Sequence, residues 1–213
     1  MVLRARRELA AAIRRGDYAP SQRLVESELT AALAVSRATL RAVFIALEQE
    51  NYISLEHNRG ARVRQFSRPE AIEILDTRVV LEAAAAGVAA QRITDDECER
   101  LDDIVRRMAD FDVEGEGERY SACNKEFHAL VIAAARQPLL SKFIAATPYP
   151  LVMSQYRDTQ ARHPRAGSLH EHQAVLAALR VRNSPAAEAT MRAHIANARG
   201  ALTIASGQEQ SGQ

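Results

Sequence analysis

Hydrophobic and polar positions along most of this chain follow the 3.6-residue period of an α-helix. In residues 35–50, VSRATLRAVFIALEQE, the side chains Leu40, Val43, Phe44 and Leu47 fall on one arc of about 100°. The rest of that helix opens with Ser36, Arg37, Thr39 and Arg41 beside the small Ala38 and Ala42. The pattern predicts a helix that docks by one stripe and presents hydroxyls and guanidinium groups at its N-terminal end, with Ser36 as its cap. Ahead of it, Leu3, Leu9 and Ile13 space a first helix over residues 2–15, stopped at Gly16. Leu24, Val25, Leu29 and Leu33, with Glu26 and Glu28 among them, predict a short second one. Tyr52-Ile53-Ser54-Leu55 and Ala61-Arg62-Val63 then read as two strands joined by EHNRG, a hairpin. Three helices and a two-stranded wing within residues 1–66 predict a winged helix-turn-helix.

The connecting stretch RQFSRPE holds Ser67 and Glu70 at capping-box spacing, with Pro69 in the first turn of a new helix. Beyond it the helical period continues, and six helices are expected near 68–91, 95–112, 116–135, 139–158, 168–182 and 185–205. Thr94 with Glu97 marks one start, and Ser184 before Pro185 marks another. The fold class is mainly α: a winged helix-turn-helix followed, over residues 67–213, by an all-α antiparallel helical bundle.

Composition narrows the picture. With 47% hydrophobic and 26% charged residues the chain is globular, and disorder is expected only in the tail GQEQSGQ. Net charge is +1, unevenly divided. Residues 1–64 hold eleven Arg and no Lys against seven acidic residues, a net of +4, which leaves –3 on the remainder. Cys98 and Cys123 show no CxxC spacing, so neither a disulfide framework nor a zinc ribbon is indicated. The start MVLRARRELAAAIRRG lacks the unbroken apolar core of a signal peptide. No stretch approaches the roughly 20 apolar residues of a membrane span. A reduced, cytoplasmic protein without a membrane partner is the expectation.

The stretch PSQRLVESELTAALAVSRATLRAVFIALEQENYISLEHNRGARV resembles the DNA-binding domain of GntR-type transcription regulators. Those commonly show P-G-x-x-L, L-G-V-S-R and R-E-A-L, then a wing with R-G. Ser21, Ala34, Ala42 and Asn51 depart from it, standing where Gly, Gly, Glu and Gly are frequent. Ala34 matters most, because a positive φ at the helix-turn-helix corner costs a residue with a Cβ roughly 1 kcal/mol. The resemblance implies that the helix after Ser36 is the recognition helix, with Arg37, Thr39 and Arg41 as contact residues. Arginine can bridge O6 and N7 of guanine, while hydroxyls and a helix N-terminus favour phosphate. Arg23, His57 and Arg59 are candidate backbone or minor-groove contacts, and Gly60 would let the wing turn closely. A charge of +4 is modest for gripping double-stranded DNA alone, so a homodimer on a palindromic operator is expected.

In the second half, Asn124 and His128 stand at i and i+4 on one helix face, beside the inward Phe127 and Val131. His172 begins an inward stripe with Val175, Leu176 and Leu179, and His194 shares a face with Met191 and Ile195. Three inward imidazoles from three helices can converge, although a lone inward histidine is more often a hydrogen-bonded core residue. RVVLEAAAAGVAA, NKEFH, EH-x-x-V-L-x-A-L and A-x-x-x-M-x-x-H together resemble the FCD effector domain of the FadR branch of GntR regulators. There a D-x-x-x-H pair and two later histidines bind a divalent metal, and the metal and a helix-borne arginine hold a small carboxylate. The resemblance implies a zinc or nickel site at Asn124, His128, His172 and His194, with Asn124 in place of the usual Asp. A neutral amide raises the charge at the metal by one, which favours an anionic effector. Arg78 is the candidate for the effector carboxylate, against a structural salt bridge with Glu82; Tyr156 and Arg157 are weaker candidates. His163 and His170, in ARHPRAGSLH, read as solvated loop residues.

Two other readings stay open. The bundle could be a metal-free dimerisation module, or a metalloenzyme. Di-metal bundles need inward E-x-x-H pairs, and none occurs, since Glu126 precedes His128 by two. A mononuclear hydrolase needs a positioned general base, and by periodicity no glutamate beside the histidines faces inward.

Overall fold

A computed structural model describes residues 1–56, 60–156 and 165–209. It is mainly helical, with α1 (Val2–Arg15), α2 (Glu26–Ala32), α3 (Arg37–Gln49), α4 (Arg68–Arg92), α5 (Asp95–Glu114), α6 (Gly117–Ala134), α7 (Pro138–Ala146), α8 (Tyr149–Gln155), α9 (Arg165–Arg180) and α10 (Ser184–Glu209). Three short strands, β1 (Arg23–Leu24), β2 (Ile53–Glu56) and β3 (Gly60–Val63), form one antiparallel sheet in the order β1-β3-β2. Among the described residues no single helix is long and apolar enough to cross a membrane. The chain forms two compact units, Met1–Ala71 with Pro148–Arg157, and Ile72–Thr147 with Asp158–Gln213.

The first unit is a winged helix-turn-helix. Ala5, Leu9, Ala10 and Ile13 are the buried stripe of α1, whereas Leu3, expected inside, is 64% exposed. Gly16 ends α1 in the left-handed conformation, as a residue without Cβ readily does. Leu40, Val43, Phe44 and Leu47 bury the predicted face of α3, and Ser36 caps it by accepting from Thr39 N. Leu24 and Val25 fall ahead of α2 rather than within it, because Leu24 belongs to β1. The sheet therefore has three strands instead of two: Arg23 lies opposite Arg62 and Leu24 opposite Ala61, beside the hairpin register Ile53 to Val63.

Three of the departures from the family pattern explain themselves. Ser21, Ala34 and Asn51 all have positive φ, of 63°, 50° and 61°, which is why glycine is common there. Asn51 tolerates this region best of the three, and its side-chain oxygen accepts from Arg64 at 2.6 Å. Ala34→Gly is expected to raise the stability of this unit by about 1 kcal/mol by relieving the Cβ contact; urea unfolding of the two proteins checks it. An unchanged midpoint would mean that the extra freedom of glycine in the unfolded chain cancels the relief.

The largest departure from expectation is the segment 139–158. Instead of one bundle helix it forms α7 and α8, separated at Pro148, which has no N–H to continue the helical ladder. The α8 segment packs with the first unit and buries Leu151 and Val152. Gln155 donates to the Phe66 carbonyl at 2.7 Å and accepts from Phe66 N at 2.9 Å, and Ser154 donates to the Arg14 carbonyl at 3.1 Å. By packing, the first unit extends to Ala71 and also takes in Pro148–Arg157.

The second unit holds the other six helices of the described residues, α4 to α7, α9 and α10. Its core joins Ala85, Ala86, Ala89 and Ala90 of α4 to Leu101, Ile104 and Met108 of α5, Phe127 and Val131 of α6, Val175 and Leu179 of α9, and Met191 and Ile195 of α10. The alanine run lets helices approach closely: a Cβ built on Gly87 would already touch Ser184 and Glu188 at 3.4 Å. Thr94 and Glu97 form the complete capping box. The Ser67–Glu70 pair is only half of one, since Ser67 accepts from Glu70 N while the Glu70 carboxylate pairs with Arg64. At the start of α10 the cap is Asn183, which accepts from Ala186 N at 3.0 Å.

Candidate metal centre and nucleic-acid interface

His128 on α6, His172 on α9 and His194 on α10 converge in the second unit, with ligand atoms within 4.8 Å of one another. All three are buried. Their orientation is set from behind. His128 Nδ1 lies 2.7 Å from Glu82 Oε2, His194 Nδ1 lies 2.8 Å from Glu171 Oε2, and His172 Nδ1 lies 2.6 Å from the Ser168 carbonyl. A carboxylate or a peptide carbonyl only accepts, so each Nδ1 carries the proton and each neutral ring turns a bare Nε2 lone pair the other way. Burial holds the rings neutral. It pushes His128 down to about 3, helped by the Arg78 charge, and His172 down to about 2, helped by the neighbouring His194 and His128. Burial lowers His194 too, against the opposing pull of Glu171.

The Nε2 atoms of His128 and His194 face each other at 3.1 Å, and His172 Nε2 faces Asn124 Oδ1 at 2.8 Å. These are acceptors aimed at acceptors. Turning the Asn124 amide would satisfy the second pair, but no rotation relieves the two imidazoles while their Nδ1 protons are held by glutamates. A cation between them does. Three imidazole nitrogens and an amide oxygen suit a borderline divalent ion such as zinc or nickel, and ligands about 2.1 Å from such an ion sit about 3.0–3.4 Å apart.

The expected ligands Asn124, His128, His172 and His194 are thus brought together. Arg78 and Glu82 form the salt bridge weighed above against an effector role for Arg78: Glu82 is 1% exposed, pairs with Arg78 and lies against His128 Nδ1. Tyr156 does not join them, because its hydroxyl donates to the Phe66 carbonyl in the first unit at 3.0 Å. Arg157 and His163 lie outside the described residues. His170 is not in a loop but exposed on α9, which begins three residues earlier than its periodicity predicts. The expectation that no glutamate near the histidines points inward is overturned by Glu82 and Glu171. Both sit on the Nδ1 side of the rings and do not face the Nε2 atoms. Ser168 and Glu171 escaped the sequence reading because each acts through an atom that periodicity does not register: a backbone carbonyl, and a carboxylate one position off the inward stripe.

In the first unit, Arg37 and Arg41 project from the exposed side of α3, with Ala38 and Ala42 exposed beside them. Ser36 and Thr39 pair their hydroxyls at 3.0 Å at the helix start. Arg23 is exposed on β1, and Gly60 turns into β3 with φ 85°; His57 and Arg59 lie outside the described residues. Most arginines of this unit are engaged: Arg4, Arg6, Arg15, Arg62 and Arg64 pair with carboxylates, and Arg14 with the Tyr52 hydroxyl. Among the described residues the side chains of Arg23, Arg37 and Arg41 have no such partner. Unneutralised cations beside small side chains form a surface that accepts phosphate and base edges.

A winged helix-turn-helix with unpaired arginines on its third helix, and a helical bundle with buried histidines, together define a DNA-binding regulator with a sensor domain. The chain matches the family model "FCD domain" over residues 73–197 and "Bacterial regulatory proteins, gntR family" over residues 2–63. It is 26% identical over 213 residues to the HTH-type transcriptional regulator LutR of Bacillus subtilis, covering 90% of this chain and 96% of that relative. It is likewise 26% identical to the Nta operon transcriptional regulator of Aminobacter aminovorans, covering 84% and 83%. In fold it is similar to McbR/YncC of E. coli, with TM-score 0.80, 17% identity and coverage of 95% and 97%. A putative GntR regulator from Rhodococcus sp. RHA1 gives TM-score 0.77 at 22% identity, covering 96% and 98%. The chain belongs to the GntR family of bacterial transcription regulators and carries an FCD domain. It is a regulator and not an enzyme; its first unit implies DNA binding, and its second a small-molecule effector.

Proposed function

We propose that this protein is a cytoplasmic, dimeric regulator of the FadR branch that binds a palindromic operator and senses a small carboxylate at a metal centre in its bundle. The supporting observation is the pair of imidazole lone pairs from His128 and His194 held face to face at 3.1 Å. Asn124, His128, His172 and His194 would hold a divalent zinc or nickel ion. Bound there, the ion supplies a Lewis-acidic position for a carboxylate oxygen. Asn124 contributes no charge, so the ligand set leaves the ion's charge uncompensated, which favours an anion. Glu82 keeps the His128 ring in the required tautomer, and Arg78, paired with Glu82, provides a cation next to the ligand set. On DNA, Arg37 and Arg41 read base edges in the major groove, Ser36 and Thr39 meet phosphate at the start of α3, and Arg23, His57, Arg59 and Gly60 serve the flanking backbone.

Effector binding is coupled to operator affinity, and a coupling of about 1–3 kcal/mol is enough for regulation. Thermal unfolding of the purified protein tests the sensor half. A carboxylate at about a hundred times its Kd should stabilise the protein by about 2.7 kcal/mol, a rise of roughly 5–10 °C for a chain of this size. The rise should disappear after chelation and return with zinc or nickel. A protein that contains no metal and ignores both ions would leave the bundle as a dimerisation module only.

A further inference from the structure

Glu171 and His172 are consecutive on α9, and they serve different ligands. His172 turns inward and offers its own Nε2. Glu171, one position round the helix, reaches α10 and accepts from His194 Nδ1 at 2.8 Å through Oε2, while its Oε1 accepts from Asn197 Nδ2 at 2.5 Å. His194 and Asn197 stand three residues apart on α10, so one carboxylate spans two positions of the same helical face. His194 Nε2, the atom that faces His128, is therefore aimed through Nδ1 by Glu171.

We infer that Glu171 is a positioning residue for the metal centre: with His172 it forms a two-residue unit on α9 that presets two of the three imidazole ligands, one directly and one through its Nδ1 proton. Fixing the tautomer puts the lone pair on Nε2, and a carboxylate behind an imidazole makes that lone pair more basic. The two carboxylates are not equivalent in their settings. Glu82 is almost wholly buried and is paired with Arg78, whereas the Glu171 side chain keeps 20% of its exposure and sits at the seam between α9 and α10. Substitution at Glu171 thus removes the partner of His194 Nδ1 at a partly exposed seam, outside the apolar core.

The inference rests on the metal reading proposed above, and cobalt(II) separates the two. Cobalt affinity of the full-length protein is measured by chelator competition and by visible absorption, alongside the melting of the metal-free protein. Loss of an outer hydrogen-bond partner costs about 10–100-fold in metal affinity. Glu171→Ala is expected near the upper end of that range. Glu171→Gln, which keeps an acceptor oxygen but lacks the charge, is expected at about tenfold and serves if the alanine variant does not fold. If both variants bind cobalt as tightly as the wild type, or if only the melting of the metal-free protein changes, Glu171 merely pins two helices and the inference fails. If the wild-type protein itself binds no cobalt, the metal reading falls and this inference with it.

Discussion

Arg41→Ala should nearly abolish operator binding. A bidentate arginine–guanine contact contributes about 1–3 kcal/mol of discrimination. The proposed dimer would make it twice, so the loss is about 2–6 kcal/mol, or roughly 30-fold to 20,000-fold in affinity. The variant should fold normally, because among the described residues the Arg41 side chain has no hydrogen-bond or ion-pair partner to lose, and exposed substitutions usually change stability by less than about 0.5 kcal/mol. Fluorescence anisotropy at physiological salt, with the DNA upstream of the regulated gene, measures the effect. Equal affinity for variant and wild type would remove α3 from the interface. Arg23→Ala, by contrast, should weaken all DNA sequences alike and flatten the salt dependence, as expected of a phosphate contact.

His172→Ala should empty the centre. It deletes one of three imidazole donors and removes the ring that packs edge-on against Phe127, with centroids 4.8 Å apart. Metal content after purification should fall to background, and the carboxylate-induced rise in melting temperature should vanish with it; a variant that retains its metal would exclude His172 as a ligand. A second signature follows from protonation. In the metal-free protein, burial holds His128 at about 3 and His172 at about 2, against an ordinary value of 6.5. The unfolded chain then binds more protons than the folded one at any pH between these limits, so stability falls as the solution is acidified below about 6.5. Chelator-treated wild type should therefore lose stability between pH 7 and pH 5 more steeply than chelator-treated His172→Ala, which has one fewer ring to protonate. Equal slopes would mean that His172 gains protons as easily folded as unfolded.

Much of the architecture was legible because its signals are local. The stripe Leu40, Val43, Phe44 and Leu47, the Ser36 cap, the Thr94–Glu97 box and the stop at Gly16 each depend on residues within a turn or two of one another. The same holds for the spacing of Asn124 and His128 on one face. Glycine-like positions were legible only against the family pattern, since nothing in the composition of Ala34 announces a positive φ. The strand Arg23–Leu24 was not legible, because two residues carry no period and pair only when β3 lies alongside. The fate of residues 148–156 was hidden for a related reason: Pro148 marks a break, but a break does not tell which unit the next helix joins.

By itself, then, the order of residues determined where helices begin and end, which faces they bury, and that three histidines point inward from three different helices. Those are properties of a segment, set by side-chain period and by the hydrogen bonds available to its own ends. Tertiary structure decided that the Tyr156 hydroxyl donates to the Phe66 carbonyl, that Glu82 and Glu171 stand behind His128 and His194, and that the imidazole lone pairs meet at 3.1 Å. Such pairings join atoms 23 to 90 residues apart in the chain. Their geometry depends on how neighbouring helices pack and rotate about their axes, a choice made by the filling of the shared core and not by any one segment.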